Sequence, residues 1–221
     1  MNFCFPGISG VFQTNIPYVN TAVIENQKLF CSLISDIALQ IEGFNGTAVL
    51  SDGDRILNFA KNAELLTAFV PFELNKKSLI NKIASALERE SVNPDNYNET
   101  MQLMAEIEKY LDVLAESFNC NLAFSKVTPS SVIKSAGIEI IDDYDSIAEK
   151  VIDYMELVRE FDCNKLFITV NMRSYIDDRD AELFMKTCID HEYSLLMIEN
   201  TEYKRLPFEK RITIDSDLCE F

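Results

Sequence analysis

The sequence has few of the residues that most catalytic signatures require. Its 221 residues contain one histidine, His191, and six glycines. No glycine precedes a Lys-Ser or Lys-Thr pair and none forms GxGxxG, so the phosphate loop of ATPases and the dinucleotide-binding fingerprint are both missing. HExxH and GxSxG motifs are absent as well. These absences argue against ATP hydrolysis by the usual route and against zinc-peptidase or serine-hydrolase chemistry.

Cysteine pairs and long apolar runs are also lacking. The six cysteines include no CxxC pair, so neither a zinc knuckle nor a disulfide framework is indicated, and we expect reduced, mostly buried thiols. No apolar stretch approaches the roughly 18 residues of a membrane span, and no basic region precedes an apolar run at the amino terminus. The predicted location is the cytoplasm.

Positive charge is scarce. Lys and Arg number 20 against 36 Asp and Glu, which gives a formal net charge of −16 at pH 7. A surface of this sign repels nucleic acid and anionic lipid, so any contact with a polyanion must be local. Apolar residues make up 48% of the chain, which is enough for a buried core.

Three nearly continuous apolar runs predict strands buried on both faces, as in a parallel sheet. They span residues 21–26, 165–171 and 194–200, and each turns polar at its carboxyl end, where open α/β sheets bind ligands. The polar residues there also fit simpler roles, with Asn26 as a helix cap and Asn171 and Asn200 as turn residues. Short runs at 47–50 and 211–214 are expected to extend the sheet.

The middle of the chain is predicted to be helical. One helix is expected from Asn75, its N-cap, to just before Asn93, and a longer one covers about residues 97–119. The longer helix carries a heptad seam and would project roughly 33 Å at ~1.5 Å per residue. Thr128 and the proline after it open a short helix that Gly137 can close. The prediction is an α/β head, residues 1–74 and 145–221, split by a helical insertion, residues 75–144.

Candidate reactive groups each have a structural alternative. His191 follows a predicted helix, which is typical of a helix-end or surface residue. Carboxylates at 142–145 and 177–180 precede helices, where capping and the helix dipole explain them, although Ca²⁺ coordination also fits their chemistry. The basic residues of the insertion, taken alone, fit an ordinary solvated surface.

Three segments resemble the type II-A CRISPR-associated spacer-acquisition family, the second of the Csn series. Residues 131–140 form a predicted short helix closed by glycine, with a strand-like exit. Residues 166–171 are an aliphatic run that ends in Val-Asn, and residues 21–26 lead straight into a helix. The spacing of the helices that start at Lys76 and near Tyr97 agrees too, so the resemblance covers nearly the whole chain.

The resemblance implies an α/β head related to P-loop ATPases but without the phosphate loop, and an inserted helical leg. It also implies a homotetrameric ring, Ca²⁺ at the leg and subunit contacts, and no enzymatic activity. Free ends of double-stranded DNA would pass through the hole, beside the integrase pair and the type II effector nuclease of the same operon. Such binding would be phosphate-led, indifferent to sequence and weakened by salt.

The same resemblance maps family residues onto this chain. Relatives carry acidic residues just before the short helix, whereas residues 125–128 of this chain are Ser, Lys, Val and Thr. The candidate Ca²⁺ ligands are therefore the nearby carboxylates Glu139, Asp142 and Asp143. The predicted DNA-contacting residues are six cations of the leg: Lys76, Lys77, Lys82, Arg89, Lys126 and Lys134.

The sequence is also compatible with two other functions. One is a metal-dependent nucleotide or nucleic-acid enzyme at the carboxyl edge of the sheet, with Glu25, Asn171 and Glu199 as ligands. The other is a scaffold that binds the proteins of the acquisition machinery.

Overall fold

A computed structural model describes residues 1–14, 17–162 and 165–221, which divide into two compact units. The first unit consists of Met1–Glu73 and Asp143–Phe221, and the second of Leu74–Asp142. The division into a discontinuous head domain, residues 1–74 and 145–221, and a helical leg insertion, residues 75–144, stays a prediction.

The first unit contains a five-stranded parallel sheet, as the apolar runs predict. Its strands lie in the order β6 (Ala63–Leu66), β7 (Leu166–Val170), β8 (Ser194–Glu199), β3 (Val19–Ile24) and β9 (Glu209–Ile214). Each neighbouring pair is parallel. All residues of β3 and β7 are buried, which confirms that these continuous apolar runs are strands covered on both faces. The α/β fold class is therefore correct, and β9 extends the sheet as expected.

A second, antiparallel sheet forms from the amino-terminal segments. Its order is β2 (Phe12–Gln13), β1 (Asn2–Cys4), β4 (Val49–Asp52) and β5 (Arg55–Leu57). The prediction that residues 47–50 extend the parallel sheet is therefore wrong. The physical reason lies in the turn that follows: β4 and β5 are joined by two residues with Gly53 at φ +55°, a connection that only antiparallel strands can make.

Helices cover the parallel sheet. They are α1 (Gln27–Ile41), α2 (Phe59–Asn62), α6 (Ile147–Phe161) and α7 (Asp178–Asp190), with a 3₁₀ turn at Met172–Ser174. One core cluster joins α1 to both sheets; among its buried members are Phe3, Phe12, Leu33, Ile37, Leu50, Ile168 and Leu196. Helices α6 and α7 pack on each other, and α7 contacts β3.

The second unit holds the three remaining helices of the described chain: α3 (Lys77–Ser91), α4 (Tyr97–Ala115) and α5 (Pro129–Ala136). Helix α4 ends four residues earlier than predicted, so its 19 residues span about 28 Å. The Ser117 hydroxyl donates to the Leu114 carbonyl at 2.7 Å and so occupies an acceptor that helix continuation would use. Along the predicted seam, Met104 is buried whereas Leu114 is 44% and Phe118 61% exposed.

The cysteines depart from expectation. Of the five in the described ranges, Cys188 is buried and Cys4 half-buried, whereas Cys31, Cys120 and Cys219 are exposed. The prediction of mostly buried thiols is therefore wrong for these five, because Cys31 lies on the exposed side of α1 and Cys120 and Cys219 lie in exposed loops. Cys163 lies outside the described residues. In the ranges described, every helix is too short or too polar to cross a bilayer.

Candidate nucleic-acid interface

All six predicted DNA-contacting cations lie in the second unit. Lys76 is the N-cap of α3 and Lys77 its first residue, although the Lys76 side chain caps nothing. Lys76 and Lys82 are half-buried and interact with neighbouring groups. The other four side chains are exposed: Lys77, Arg89, Lys126 and Lys134.

Local sequence fixes the short helix that carries Lys134. Thr128 and Ser131 form a capping box, in which the Ser131 N–H donates to Thr128 Oγ1 at 3.2 Å and the Thr128 N–H donates to Ser131 Oγ at 3.0 Å. Pro129 begins α5 and Gly137 follows it at φ +73°, so the predicted start and stop are both correct. Lys134 therefore projects from a helix with fixed ends.

Helices α3 and α5 pack against each other and leave a cavity of about 380 Å³. Ala84 and Glu88 line it from α3, and Lys134 lines it from α5. Lys82 and Arg89 are seven residues apart and share a side of α3, but that side lies about a third of a turn from Ala84 and Glu88. The structure thus brings Lys134 close to α3 but leaves the Lys82 and Arg89 side chains on a different face.

Two hydrogen bonds between Asn75 and Ile140, here called the Asn75 clamp, hold the segment that contains the proposed Ca²⁺ ligands. Asn75 Nδ2 donates to the Ile140 carbonyl at 3.1 Å, and the Ile140 N–H donates to Asn75 Oδ1 at 2.7 Å. The prediction of Asn75 as the N-cap of α3 is therefore wrong, because its amide is used in pairing with Ile140. Lys76 takes the N-cap position instead.

Glu139, Asp142 and Asp143 are exposed. Within the described ranges, no three His, Cys, Asp or Glu side chains are grouped so as to hold a metal ion. The carboxylates of the described residues therefore do not by themselves make a Ca²⁺ cage, which needs six to eight oxygens. Backbone carbonyls, water or a second copy of the chain would have to supply the rest.

The carboxyl edge of the parallel sheet is closed by asparagines. Asn26 Oδ1 accepts the Leu29 N–H at 3.0 Å and so caps α1 directly after β3. Asn171 adopts φ +55° and its Oδ1 accepts the Asn200 N–H at 2.9 Å. The interpretation of these asparagines as a cap and as turn residues is confirmed.

The three residues of the rival metal site have separate structural settings. Glu25 is exposed and Asn171 holds a turn, whereas Glu199 is 1% exposed. Glu199 Oε1 accepts the Arg173 N–H at 3.2 Å, and Oε2 has no partner among the described residues. Burial raises the pKa of Glu199 to about 7, with Glu209 adding to the rise and Arg173 opposing it.

Sequence reasoning missed a set of buried charges around Glu199. Arg211 makes a bidentate ion pair with Glu209, through Nε at 2.7 Å and Nη2 at 2.9 Å. A second ion pair joins Arg173 Nη2 to Asp178 Oδ1 at 2.5 Å. Both arginine side chains are nearly inaccessible to solvent. The only available signal was a run of charged residues, which is typical of an exposed strand, so composition alone could not locate these ion pairs.

A cavity of about 590 Å³ opens at the amino edge of the parallel sheet. Its cations already have partners: Lys165 pairs with Asp162 at 3.1 Å, and Arg159 donates to the His191 carbonyl and lies 5.3 Å from the Tyr193 ring. Helices α6 and α7 end here, and their negative dipole ends disfavour anions. The cavity therefore lacks the electrostatics of a phosphate pocket, and exposed His191 is the helix-end residue that its position predicts.

Comparison with known proteins identifies the family. No curated protein matches the chain. The family model described as CRISPR-associated protein (Cas_Csn2) matches residues 40–218, which includes the sheet strands from β4 to β9 and all of the second unit. Because the match covers most of the sequence, the chain belongs to the Cas_Csn2 family of CRISPR-associated proteins, the type II-A family that its motifs resemble.

Proposed function

We propose that this chain binds free ends of linear double-stranded DNA during spacer acquisition in the cytoplasm, without base preference and without a reaction of its own. Membership of the Cas_Csn2 family over residues 40–218 carries the proposal, because it makes a CRISPR-associated role the starting point. The resemblance of the sequence segments adds the more specific step of spacer capture.

The distribution of charge supports phosphate contacts by the second unit. The chain has a net charge of −16, so only a local group of cations can approach DNA. Arg89 and Lys134 are exposed on helices that pack against each other, and because they lie on different faces each would make a separate phosphate contact. Contacts from Lys and Arg to phosphates position a duplex without reading its bases. Binding is therefore indifferent to sequence and falls steeply with salt.

Assembly is part of the proposal. Four copies in a ring would gather the cations of each second unit around one opening, and the duplex would enter by an end. Ca²⁺ would assist, with Glu139, Asp142 and Asp143 contributing some of its oxygens. The integrase pair and the type II effector nuclease are the proposed protein partners.

The deciding experiment is an electrophoretic shift assay with linear and covalently closed circular duplexes of the same sequence, in Ca²⁺ and in EDTA. We expect the full chain to shift the linear duplex, more strongly in Ca²⁺, and to leave the closed circle unbound because a circle has no end to thread. Equal shifts of both forms would contradict end binding, and no shift of either would contradict DNA binding altogether.

Charge reversal locates the contact in the same assay. Arg89→Glu with Lys134→Glu should weaken binding of the linear duplex at least tenfold, because two attractive contacts become repulsive. The matched control is Lys61→Glu with Lys186→Glu, two exposed cations of the first unit. Equal weakening by both pairs would reflect net charge alone and would remove Arg89 and Lys134 from the site.

A further inference from the structure

A loop without a helix connects two parallel strands of the sheet. Strands β8 and β9 run in the same direction and lie on either side of β3, so the chain must return along the whole strand length between them. It does so in residues 200–208, here called the crossover loop. Crossovers between parallel strands usually contain a helix packed on the sheet. This one needs other anchors.

Buried and half-buried polar groups supply those anchors at two points. The Tyr203 carbonyl accepts from Arg211 Nη1 at 2.6 Å, its hydroxyl lies 2.9 Å from Ser174 Oγ, and its ring lies 5.1 Å from the Arg173 guanidinium carbon. Leu206 is buried and its N–H donates to Glu209 Oε2 at 3.0 Å. The backbone on both sides of residues 204 and 205 is therefore fixed.

Lys204 and Arg205 lie between these two anchors and are both exposed. Neither forms an ion pair or hydrogen bond with the part of the chain that the structure describes. By contrast, Lys165, Arg173 and Arg211 are each paired with a carboxylate. These three cations are thus paired within the first unit, whereas Lys204 and Arg205 are adjacent, exposed and without a carboxylate partner among the described residues, on a backbone that is fixed on both sides.

We propose that Lys204 and Arg205 are a second contact for the phosphate backbone of double-stranded DNA, on the first unit and separate from the cations of the second. The inference rests on the proposed DNA binding and adds a surface to it. Two cations on an anchored backbone lose less conformational freedom on binding than cations on a mobile tail. An anionic membrane is a poorer partner. Leu206 is buried and Tyr203 is half-buried, so neither of these two side chains beside the cations is free to insert into a lipid bilayer.

The experiment measures how the affinity of the full chain for a linear duplex depends on salt. Lys204→Gln with Arg205→Gln should lower the slope of log affinity against log salt by about 0.9 for each phosphate that the variant no longer neutralises. The matched control is Arg179→Gln with Lys186→Gln, which removes the same charge from exposed cations of α7. Far-ultraviolet circular dichroism and the unfolding midpoint of both variants should equal those of the unaltered chain, because the changes are on the surface.

The outcomes separate this inference from the proposed function. If the unaltered chain binds linear duplex and only the crossover-loop variant has a shallower slope, the inference stands. If the two double variants have equal slopes, the inference is wrong while the proposed function is untouched. A normal slope together with abolished binding to phosphatidylserine vesicles would overturn it in favour of a membrane. If the unaltered chain binds no DNA, both fail.

Discussion

At the scale of single residues, the most consequential feature is Glu199, a carboxyl group inside the first unit. It is nearly inaccessible to solvent and faces Arg173 and Glu209, and one of its oxygens has no partner in the described structure. Buried carboxyl groups without full compensation favour the protonated form. Folding therefore takes up a proton at this position over a pH range in which the unfolded chain has released it.

This gives a prediction about pH. Burial raises the pKa of Glu199 from an ordinary value of 4.5 to about 7. Its folded-state pKa is the higher one, so its contribution to the free energy of unfolding is full below about pH 4.5 and falls as the pH rises to about 7. The total loss is on the order of 3 kcal/mol. In Glu199→Gln this fall should be absent, as measured by urea unfolding at pH 5, 6, 7 and 8.

Glu25→Gln is the matched control, because it removes an exposed carboxyl group at the same edge of the sheet. Its pH profile should follow that of the unaltered chain. If Glu199→Gln and the unaltered chain had the same profile, the carboxyl group would be ionised in both folded and unfolded states, which would contradict the argument from burial.

At the scale of elements, local sequence decides where some helices begin and end and long-range pairing decides the rest. Helix α5 starts and stops where Thr128 and Gly137 predict, since both signals act within a few residues. Asn75 shows the opposite case. Asparagine is a favourable N-cap residue, but Asn75 lies one position before the N-cap of α3. Its side-chain amide instead pairs with the backbone of Ile140, 65 residues away.

The Asn75 clamp can be tested directly. Asn75→Ala removes two hydrogen bonds to the Ile140 backbone and should lower the free energy of unfolding by about 1–2 kcal/mol. The Ile140 amide should exchange with deuterium faster, whereas amides in the middle of α5 should be unchanged. Asn81→Ala, an exposed position of α3 whose side chain caps nothing, is the control. Unaltered exchange at Ile140 in Asn75→Ala would show that the clamp does not hold this segment.

At the scale of the whole molecule, the main obstacle to assembly and to DNA binding is electrostatic repulsion. A chain with a net charge of −16 resists both self-association and DNA, so the proposed ring must offset this repulsion through apolar contacts and bound cations. Apolar side chains that could take part are exposed on α4, where Leu103 is 49% and Tyr110 62% accessible in the isolated chain.

Light scattering tests the assembly. In Ca²⁺ the mass should be about four times the 25.2 kDa of one chain, and EDTA should shift the population toward smaller species because the carboxylates then repel each other. Raising the salt concentration in EDTA should partly restore the larger species, since salt screens the same repulsion. A single chain mass in Ca²⁺ would contradict the ring.

Part of this protein could be predicted from sequence alone because the signals are local or compositional. Continuous apolar runs indicated β3, β7 and β8, since a strand that is covered on both faces buries the side chains of both alternating sets. The missing glycine-rich loop, the cap at Asn26 and the ends of α5 are likewise set by neighbouring residues. The family resemblance was also visible at this level, because it depends on the order and spacing of such segments.

Only the tertiary structure decided the rest. Val49 and Leu50 belong to a separate antiparallel sheet, in which β4 pairs with the neighbouring β5 and also with β1, more than 40 residues earlier in the sequence. The Arg211–Glu209 pair joins residues two positions apart on β9, and Tyr203 lies eight positions before Arg211, so distance along the chain does not explain why these contacts escaped prediction. A charged strand residue has the same sequence pattern whether its face is covered or open. Burial depends on what packs against a residue, and neither composition nor spacing contains that information.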